Sequence, residues 1–320
     1  MSQGQPLHVV FGASGGAGNA IVRELVARDL PVRAVNRGGN ADVPTGVERV
    51  ASDALDLASM QAACKGASVI YHAVNVPYPQ WSDVLPSMME NFIAAAEAEN
   101  ARLVYVDNLY MYGKVDGPMR ESTPVKPCSR KGQLRADLAA TLMEAHEKGQ
   151  VQAVIARASD FYGPGVLNAG LGEMVLAPAL EGKTANAVGN LDMPHTYTYI
   201  DDFAKAVVTL GTRNEALGKV WFTPNAEALS TRQMLEMIFQ EAGHEPKYRS
   251  APDWMLTAMG WFNPMIREVK EMVYEFEMPF IVDHSEYDRV FGDVTPTPQR
   301  DGIAQTVSWY RRYVRDSEQQ

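Results

Sequence analysis

Positive charge is in short supply: 29 Lys and Arg face 39 Asp and Glu over 320 residues, which leaves a formal net charge of −10. Such a surface repels phosphate backbones and anionic lipid, so general nucleic-acid binding and an anionic-membrane role are excluded. Cysteine is scarcer still. Cys64 and Cys128 stand far apart without a metal-type spacing, so neither a disulfide framework nor a metal cluster is expected. No run approaches the roughly 18 apolar residues of a membrane span, and Met1 to Pro6 lacks the basic and apolar segments of a leader. These absences lead to the expectation of an unprocessed cytoplasmic protein. What is present suits a large buried core, with 46% hydrophobic and 21% charged residues.

Leu7–Phe11 reads as a strand that stops at Gly12, followed by helical spacing at Ile21, Val22, Leu25 and Val26 and a second strand at Val32–Val35. This is a βαβ unit, which implies parallel strands. The alternation continues with a strand at 68–73, a helix at 88–98, a strand at 102–106, a helix at 136–147 and a strand at 151–156. The predicted class is α/β, a Rossmann-type doubly wound parallel sheet with a smaller mixed C-terminal substrate lobe. The expected division gives a dinucleotide-binding domain at 1–160, with contributions from about 190–220, and a mainly substrate-binding lobe at 161–320. Ser230 and Gln233 have the spacing of a capping box for a helix running to Ala242. The stretch from Trp254 to Phe280 is rich in large apolar side chains, including Met259, Trp261, Phe262, Met265, Met272 and Phe276. It reads either as core or as the lining of an adaptable apolar pocket.

Gly12, Gly15 and Gly18, with Gly16 among them, stand at G-x-x-G-x-x-G spacing between a strand and a helix. The first permits the tight turn and the others let backbone and helix approach closely. The helix N-terminus then offers unpaired N–H groups and a positive dipole end to a pyrophosphate. Here the chain resembles the extended short-chain dehydrogenase/reductase family, also called the NAD-dependent epimerase/dehydratase family. Beyond GASGGAG, the resemblance rests on Ser52-Asp53 with Asp56, Tyr71-His72-Ala73, Tyr112-Gly113, Glu121-Ser122-Thr123-Pro124 ahead of Pro127, Arg157 through Gly165, Tyr199-Ile200-Asp201-Asp202, and Gln305 to Tyr310. It implies a nicotinamide dinucleotide held by Gly12, Ser14, Gly15, Gly16, Gly18, Asn36, Arg37, Asp53, Ala73 and Arg135, with Asp53 at the adenine.

An NAD-preferring site ends its second strand with an acid that accepts hydrogen bonds from the adenosine ribose. This strand ends Ala34-Val35-Asn36-Arg37 instead. A carboxylate would repel a 2′-phosphate, whereas Arg pairs with it, so NADP(H) is expected over NAD(H), with Ser14 and Arg33 as additional donors.

The resemblance also implies a Ser or Thr at the end of the fifth strand and a Tyr-x-x-x-Lys on the next helix. Those positions fall on Asn108, Lys131 and Arg135. Arg cannot give up a proton, although it can bind ribose and supply charge. Lys131, one turn from Arg135, is expected to lose its proton readily if both are buried, and then to serve as a general acid. An exposed cation without a role is equally consistent. Tyr110 is the nearest phenol to replace the missing one, and Asn108 can donate an amide hydrogen bond. Relatives acting on nucleotide-sugars place a diphosphate-holding Arg where this chain has His195, which disfavours a sugar nucleotide; His195, Phe161 and Tyr162 are the expected substrate pocket.

The resulting expectation is an NADP(H)-dependent oxidoreductase that reduces a small hydrophobic or aromatic carbonyl compound or its conjugated C=C bond, using Asn108, Tyr110, Lys131 and Arg135. The alternatives are a redox-silent NADP-binding regulatory protein and an epimerase, dehydratase or lyase of the same family. The expected partner is a small-molecule substrate, with a homodimer left open and neither nucleic acid nor membrane.

Overall fold

The structure, a computed structural model, describes residues 5–251 and 253–317. The first half alternates strictly: β1 (Leu7–Phe11), α1 (Gly16–Ala27), β2 (Val32–Asn36), β3 (Glu48–Ala51), α2 (Leu57–Cys64), β4 (Ala67–His72), α3 (Trp81–Glu99), β5 (Arg102–Asp107), α4 (Arg130–Glu147) and β6 (Gln152–Arg157). Shorter elements follow: β7 (Asp160–Tyr162), α5 (Glu173–Leu180), β8 (Ala185–Val188), β9 (Pro194–His195), β10 (Tyr197–Tyr199), α6 (Ile200–Thr212) and β11 (Val220–Phe222). The chain continues through β12 (Leu229–Ser230), α7 (Thr231–Ala242), β13 (Tyr248–Ala251), α8 (Asp253–Gly260), α9 (Pro264–Lys270), α10 (Ser285–Val290) and α11 (Gln299–Ser317).

Seven parallel strands form the main sheet in the order β11-β6-β5-β4-β1-β2-β3. The order reverses beside β1, where β4 lies on one side and β2 on the other. Crevices at such reversals, at the carboxyl ends of the strands, are where doubly wound sheets take ligands. Alternate residues of each strand serve opposite faces. Val10, Tyr71 and Val104 join Ile21, Leu25, Phe203 and Val207 of α1 and α6, whereas Val9, Phe11, Ile70 and Leu103 join Phe92, Leu138 and Leu142 of α3 and α4. A separate cluster built on α5, α7 and α11, with Leu176, Leu235, Phe239, Ile303 and Tyr310, makes the C-terminal lobe.

α4 begins at Arg130 rather than at the expected residue 136, and two further elements depart from the sequence expectation. α3 begins at Trp81, ahead of the expected residue 88, and continues through Pro86. Trp81, Leu85, Met88, Met89 and Phe92 fall on one helical stripe and are all buried, and that burial outweighs the hydrogen bond that proline removes. β3 has no apolar alternation and is almost wholly exposed, so no hydrophobic pattern announces it. It is the sheet edge, where charged residues such as Glu48 and Arg49 discourage pairing with other chains.

Candidate functional site

The glycine turn joins β1 to α1. Gly12 has φ +83°, and a Cβ there would run into the Ala73 carbonyl at the end of β4. A Cβ on Gly18 would collide with the Gly12 carbonyl. Both positions therefore require glycine, and the helix start lies flat against the turn. α1 opens with Gly15 at its N-cap, no side-chain cap and no acid in its first turn. Its first N–H groups and positive dipole end are thus free for an anion. Residues 165–166 approach from the other side, since a Cβ on Gly16 would lie 3.1 Å from Val166 Cγ2. This cradle fits the pyrophosphate of a dinucleotide.

At the end of β2, Asn36 Nδ2 donates to Ser14 Oγ at 2.7 Å and its Oδ1 accepts from the Asn40 N–H at 3.1 Å. Arg37 is exposed and makes no hydrogen bond or ion pair among the described residues. Arg33, expected as a further donor, is already committed: it pairs with Glu48 at 2.9 Å and donates to the Ala63 and Lys65 carbonyls. Three residues before the strand end, it faces α2 rather than the crevice. Asp53 is exposed and accepts from the Leu55 N–H at 3.0 Å in a tight turn, while Asp56 caps α2.

The end of β5 holds a buried charge cluster. Asp107 receives Arg157 Nε at 3.0 Å and stands 3.6 Å from Arg135 Nε. Arg157 also donates to Tyr112 Oη at 2.6 Å. Arg135 donates to Tyr105 Oη and lies over the Trp81 ring, 4.6 Å from its centroid. Its Nε has no hydrogen-bond acceptor within range, facing Asp107 across 3.6 Å.

Lys131 is where the sequence argument needs correction. Its ammonium lies between the Glu268 and Glu271 carboxylates, the second at 2.7 Å, and 5.1 Å from the Tyr78 ring centroid. Arg135, one turn on, instead donates to Tyr105 and lies over the Trp81 ring, so each cation has partners of its own. Neither is Lys131 a solvated surface cation, for its side chain is 4% exposed. Asn108 uses its side-chain carbonyl locally, accepting from the Tyr110 N–H at 3.2 Å. The Tyr110 hydroxyl meets the Tyr78 hydroxyl at 2.9 Å. Burial, with Tyr78, Glu275 and Asp160 nearby, holds the Tyr110 phenol well above its ordinary range. Tyr78 is pushed up to about 12, again by burial first. Both phenols therefore hold their protons more tightly than an ordinary tyrosine.

The expected substrate residues divide. His195 is buried, donating or accepting through Nε2 with Asp160 at 2.8 Å, and stacked between Phe276 and Phe280 at 4.7 and 5.0 Å. Phe161 is partly buried and Tyr162 is buried, and both meet neighbouring aromatic rings. Phe161 meets Phe203 edge-on at 4.8 Å, and Tyr162 joins the C-terminal lobe core beside Tyr199, because β7 pairs with β10 and is drawn under it. The apolar stretch divides as well. Leu256, Met272 and Phe280 are buried, whereas Trp261 and Phe262 are 79% and 89% exposed; the Trp254 and Met265 side chains lie outside the described residues. Tyr78, Glu268, Glu271 and Glu275 carry no motif, and nothing in the sequence marks them; Asp160 lies within the Arg157–Gly165 stretch without being singled out there.

The description "NAD dependent epimerase/dehydratase family" matches residues 8–221, more than half of the chain. The chain belongs to that family. It is 22% identical over 221 residues to a dTDP-glucose 4,6-dehydratase of Streptomyces griseus, covering 69% of this chain and 62% of that protein. It is also 24% identical over 165 residues to a dTDP-6-deoxy-L-talose 4-dehydrogenase (NAD(P)(+)) of Kitasatospora kifunensis, covering 49% of this chain and 52% of that one. The match thus spans less than two thirds of either curated relative. The crystal structure of dTDP-glucose 4,6-dehydratase from Bacillus anthracis in complex with NAD has the same fold, with a TM-score of 0.78 at 15% identity over 96% of this chain and 97% of that one.

Proposed function

With that membership as premise, we propose that the protein binds a nicotinamide dinucleotide and performs hydride chemistry at a carbinol or carbonyl carbon of a small substrate. The observation that carries this is the uncapped start of α1 behind two glycines that tolerate no side chain. Gly12, Gly15, Gly16 and Gly18 would hold the pyrophosphate, Ala73 would close the turn, and Ser14, Asn36, Arg37 and Asp53 would face the adenosine. When bound, the nicotinamide accepts or returns hydride. Arg37, exposed and unengaged where an acid would favour NAD, supports NADP as the preferred form.

Two net reactions suit such a site. Redox-neutral epimerisation or dehydration is the better supported, because the family and the dehydratase relatives carry out chemistry of that kind. Net reduction of a carbonyl compound, the expectation from sequence, draws support from the dehydrogenase relative. In either case, His195, sealed between two phenylalanines beside the Asp160 carboxylate, offers no clamp for a diphosphate, which favours a substrate without one.

The fate of the cofactor distinguishes the two. Purified protein is loaded with NADP(H) and given hydroxylated keto compounds, aromatic aldehydes and enones. A redox-neutral enzyme forms product with the nicotinamide absorbance restored after each turnover, whereas a reductase consumes one NADPH per product. Absence of dinucleotide binding in a fluorescence titration sinks both. Arg37→Ala should weaken NADP about tenfold while sparing NAD, in line with the loss of one charge-assisted contact; equal loss for the two removes the NADP argument.

A further inference from the structure

The two carboxylates that hold Lys131 belong to one helical hairpin, Glu268 in α9 and Glu271 just beyond it. α8 and α9 are joined through residues 261–263 and pack on each other, with Lys270 donating to Thr257 between them. The hairpin hangs between two anchored ends. β13 ahead of it pairs with β8, and after it Phe276 stacks on the buried His195 ring at 4.7 Å. Between those anchors α9 lies across the segments that leave the carboxyl ends of β4 and β5. It packs against the turn at 78–80, which follows β4, and it meets the start of α4 through Glu268 and Glu271. That start is in turn fixed to the exit of β5, since a Cβ on Gly132 would run into the carbonyl of Tyr110, three residues past the strand. β4 borders the reversal of strand order beside β1, so the hairpin stands at the mouth of the crevice.

The hold on α9 is ionic rather than apolar. Glu271 Oε2 takes the Lys131 ammonium at 2.7 Å, while its Oε1 accepts the Arg130 N–H and, at 3.3 Å, the Lys131 N–H. This carboxylate thus also closes the first turn of α4, where the helix dipole favours negative charge. Glu268 takes the same ammonium and, at 3.3 Å, the Arg130 guanidinium. No side chain of α9 is buried among the described residues, and the tip holds Trp261 and Phe262 out in solvent. A segment with so little buried apolar area opens far more easily than the core. What opposes opening is Lys131, a buried cation that would be stranded without its carboxylates. We propose that the α8–α9 hairpin is the lid of the substrate end and that Lys131, where the resemblance implies a tyrosine, is its latch. The inference rests on the reading of this crevice as that of a dinucleotide enzyme. With Glu268 and Glu271 engaged, the hairpin rests on the Tyr78 turn and shuts the mouth; with them released, it swings on its anchored ends and admits substrate.

Hydrogen exchange of the full chain, followed by mass spectrometry, reads the latch without substrate. In Lys131→Met the amides of residues 264–272 should exchange at least about tenfold faster than in wild type, those of 12–18 should keep their rates, and Lys131→Arg should restore the protection. Glu268→Gln, which leaves Glu271 on the start of α4, should give a smaller change of the same sign. Equal exchange in wild type, Lys131→Met and Glu268→Gln overturns the proposal. Gating is read separately. Arg267→Cys sets a thiol across a cavity of about 650 Å³ from Cys128, since both positions line it. Cys128 is exposed and Cys64 buried, so a bifunctional thiol reagent ties the hairpin to the segment before α4. For any compound that wild type turns over, the tied protein should lose at least about tenfold in kcat/KM relative to untied Arg267→Cys, with dinucleotide affinity unchanged. Full turnover with the tie in place overturns the lid and leaves the hydride-transfer reading intact. Failure of wild type to bind dinucleotide removes that reading instead, and the latch then stands or falls on the exchange rates.

Discussion

The two ends of the crevice are built on opposite plans. At the proposed cofactor end, the turn from Gly12 to Gly18 is seven consecutive residues with no charged side chain and no side-chain helix cap, Ser14 alone offering a polar side chain. At the substrate end, Tyr78, Tyr110, Lys131, Asp160 and His195 come from five separate segments; the Lys131–Glu271 contact joins residues 140 positions apart. A backbone device tolerates almost no substitution, because any side chain occupies the space the ligand or the neighbouring peptide needs. A device made of side chains can exchange one proton carrier for another as long as some element of the lobe brings a suitable group into reach. The glycine turn keeps the spacing of the resemblance, whereas the positions at which it implies Tyr and Lys hold Lys131 and Arg135.

Gly18→Val gives the largest effect expected from this contrast. Its Cβ meets the Gly12 carbonyl, so α1 must move off the turn, and dinucleotide affinity should fall at least about 100-fold in a fluorescence titration. An affinity within about twofold of wild type would mean that the turn is not the binding device. Next comes Asp107→Ala, at the junction between the two ends. It strands two buried guanidiniums, Arg135 and Arg157, without their shared counter-ion, and should cost about 3–5 kcal/mol in denaturant unfolding. A loss below about 1 kcal/mol would show that the phenols of Tyr105 and Tyr112 alone hold these cations.

The same contrast explains what could be read in the chain. Strand–turn–helix order, the sheet class, the glycine turn and the absence of an acid after Val35 are local, and each follows from neighbouring residues. β3 escaped because an exposed edge strand has no hydrophobic pattern, and the start of α3 because Pro86 hides a stripe that only the sheet face reveals. Lys131 was read against Arg135, its sequence neighbour, but its actual partners arrive from α9 and the residue beyond it.

Ser230 sharpens the comparison at its small end, because it is as local a device as the glycine turn yet belongs to the C-terminal cluster of α5, α7 and α11. Its hydroxyl accepts from the Gln233 N–H at 3.2 Å while the Gln233 side-chain carbonyl accepts from the Ser230 N–H at 2.8 Å, closing the box expected from the spacing. Ser230→Ala leaves an N–H at the start of α7 unsatisfied and should cost about 1 kcal/mol in denaturant unfolding. The site lies apart from the glycine turn, so dinucleotide affinity should not change. A matching fall in affinity would mean that the lobe and the cofactor crevice are coupled, and that the division between a backbone-built end and a side-chain-built end is drawn too sharply.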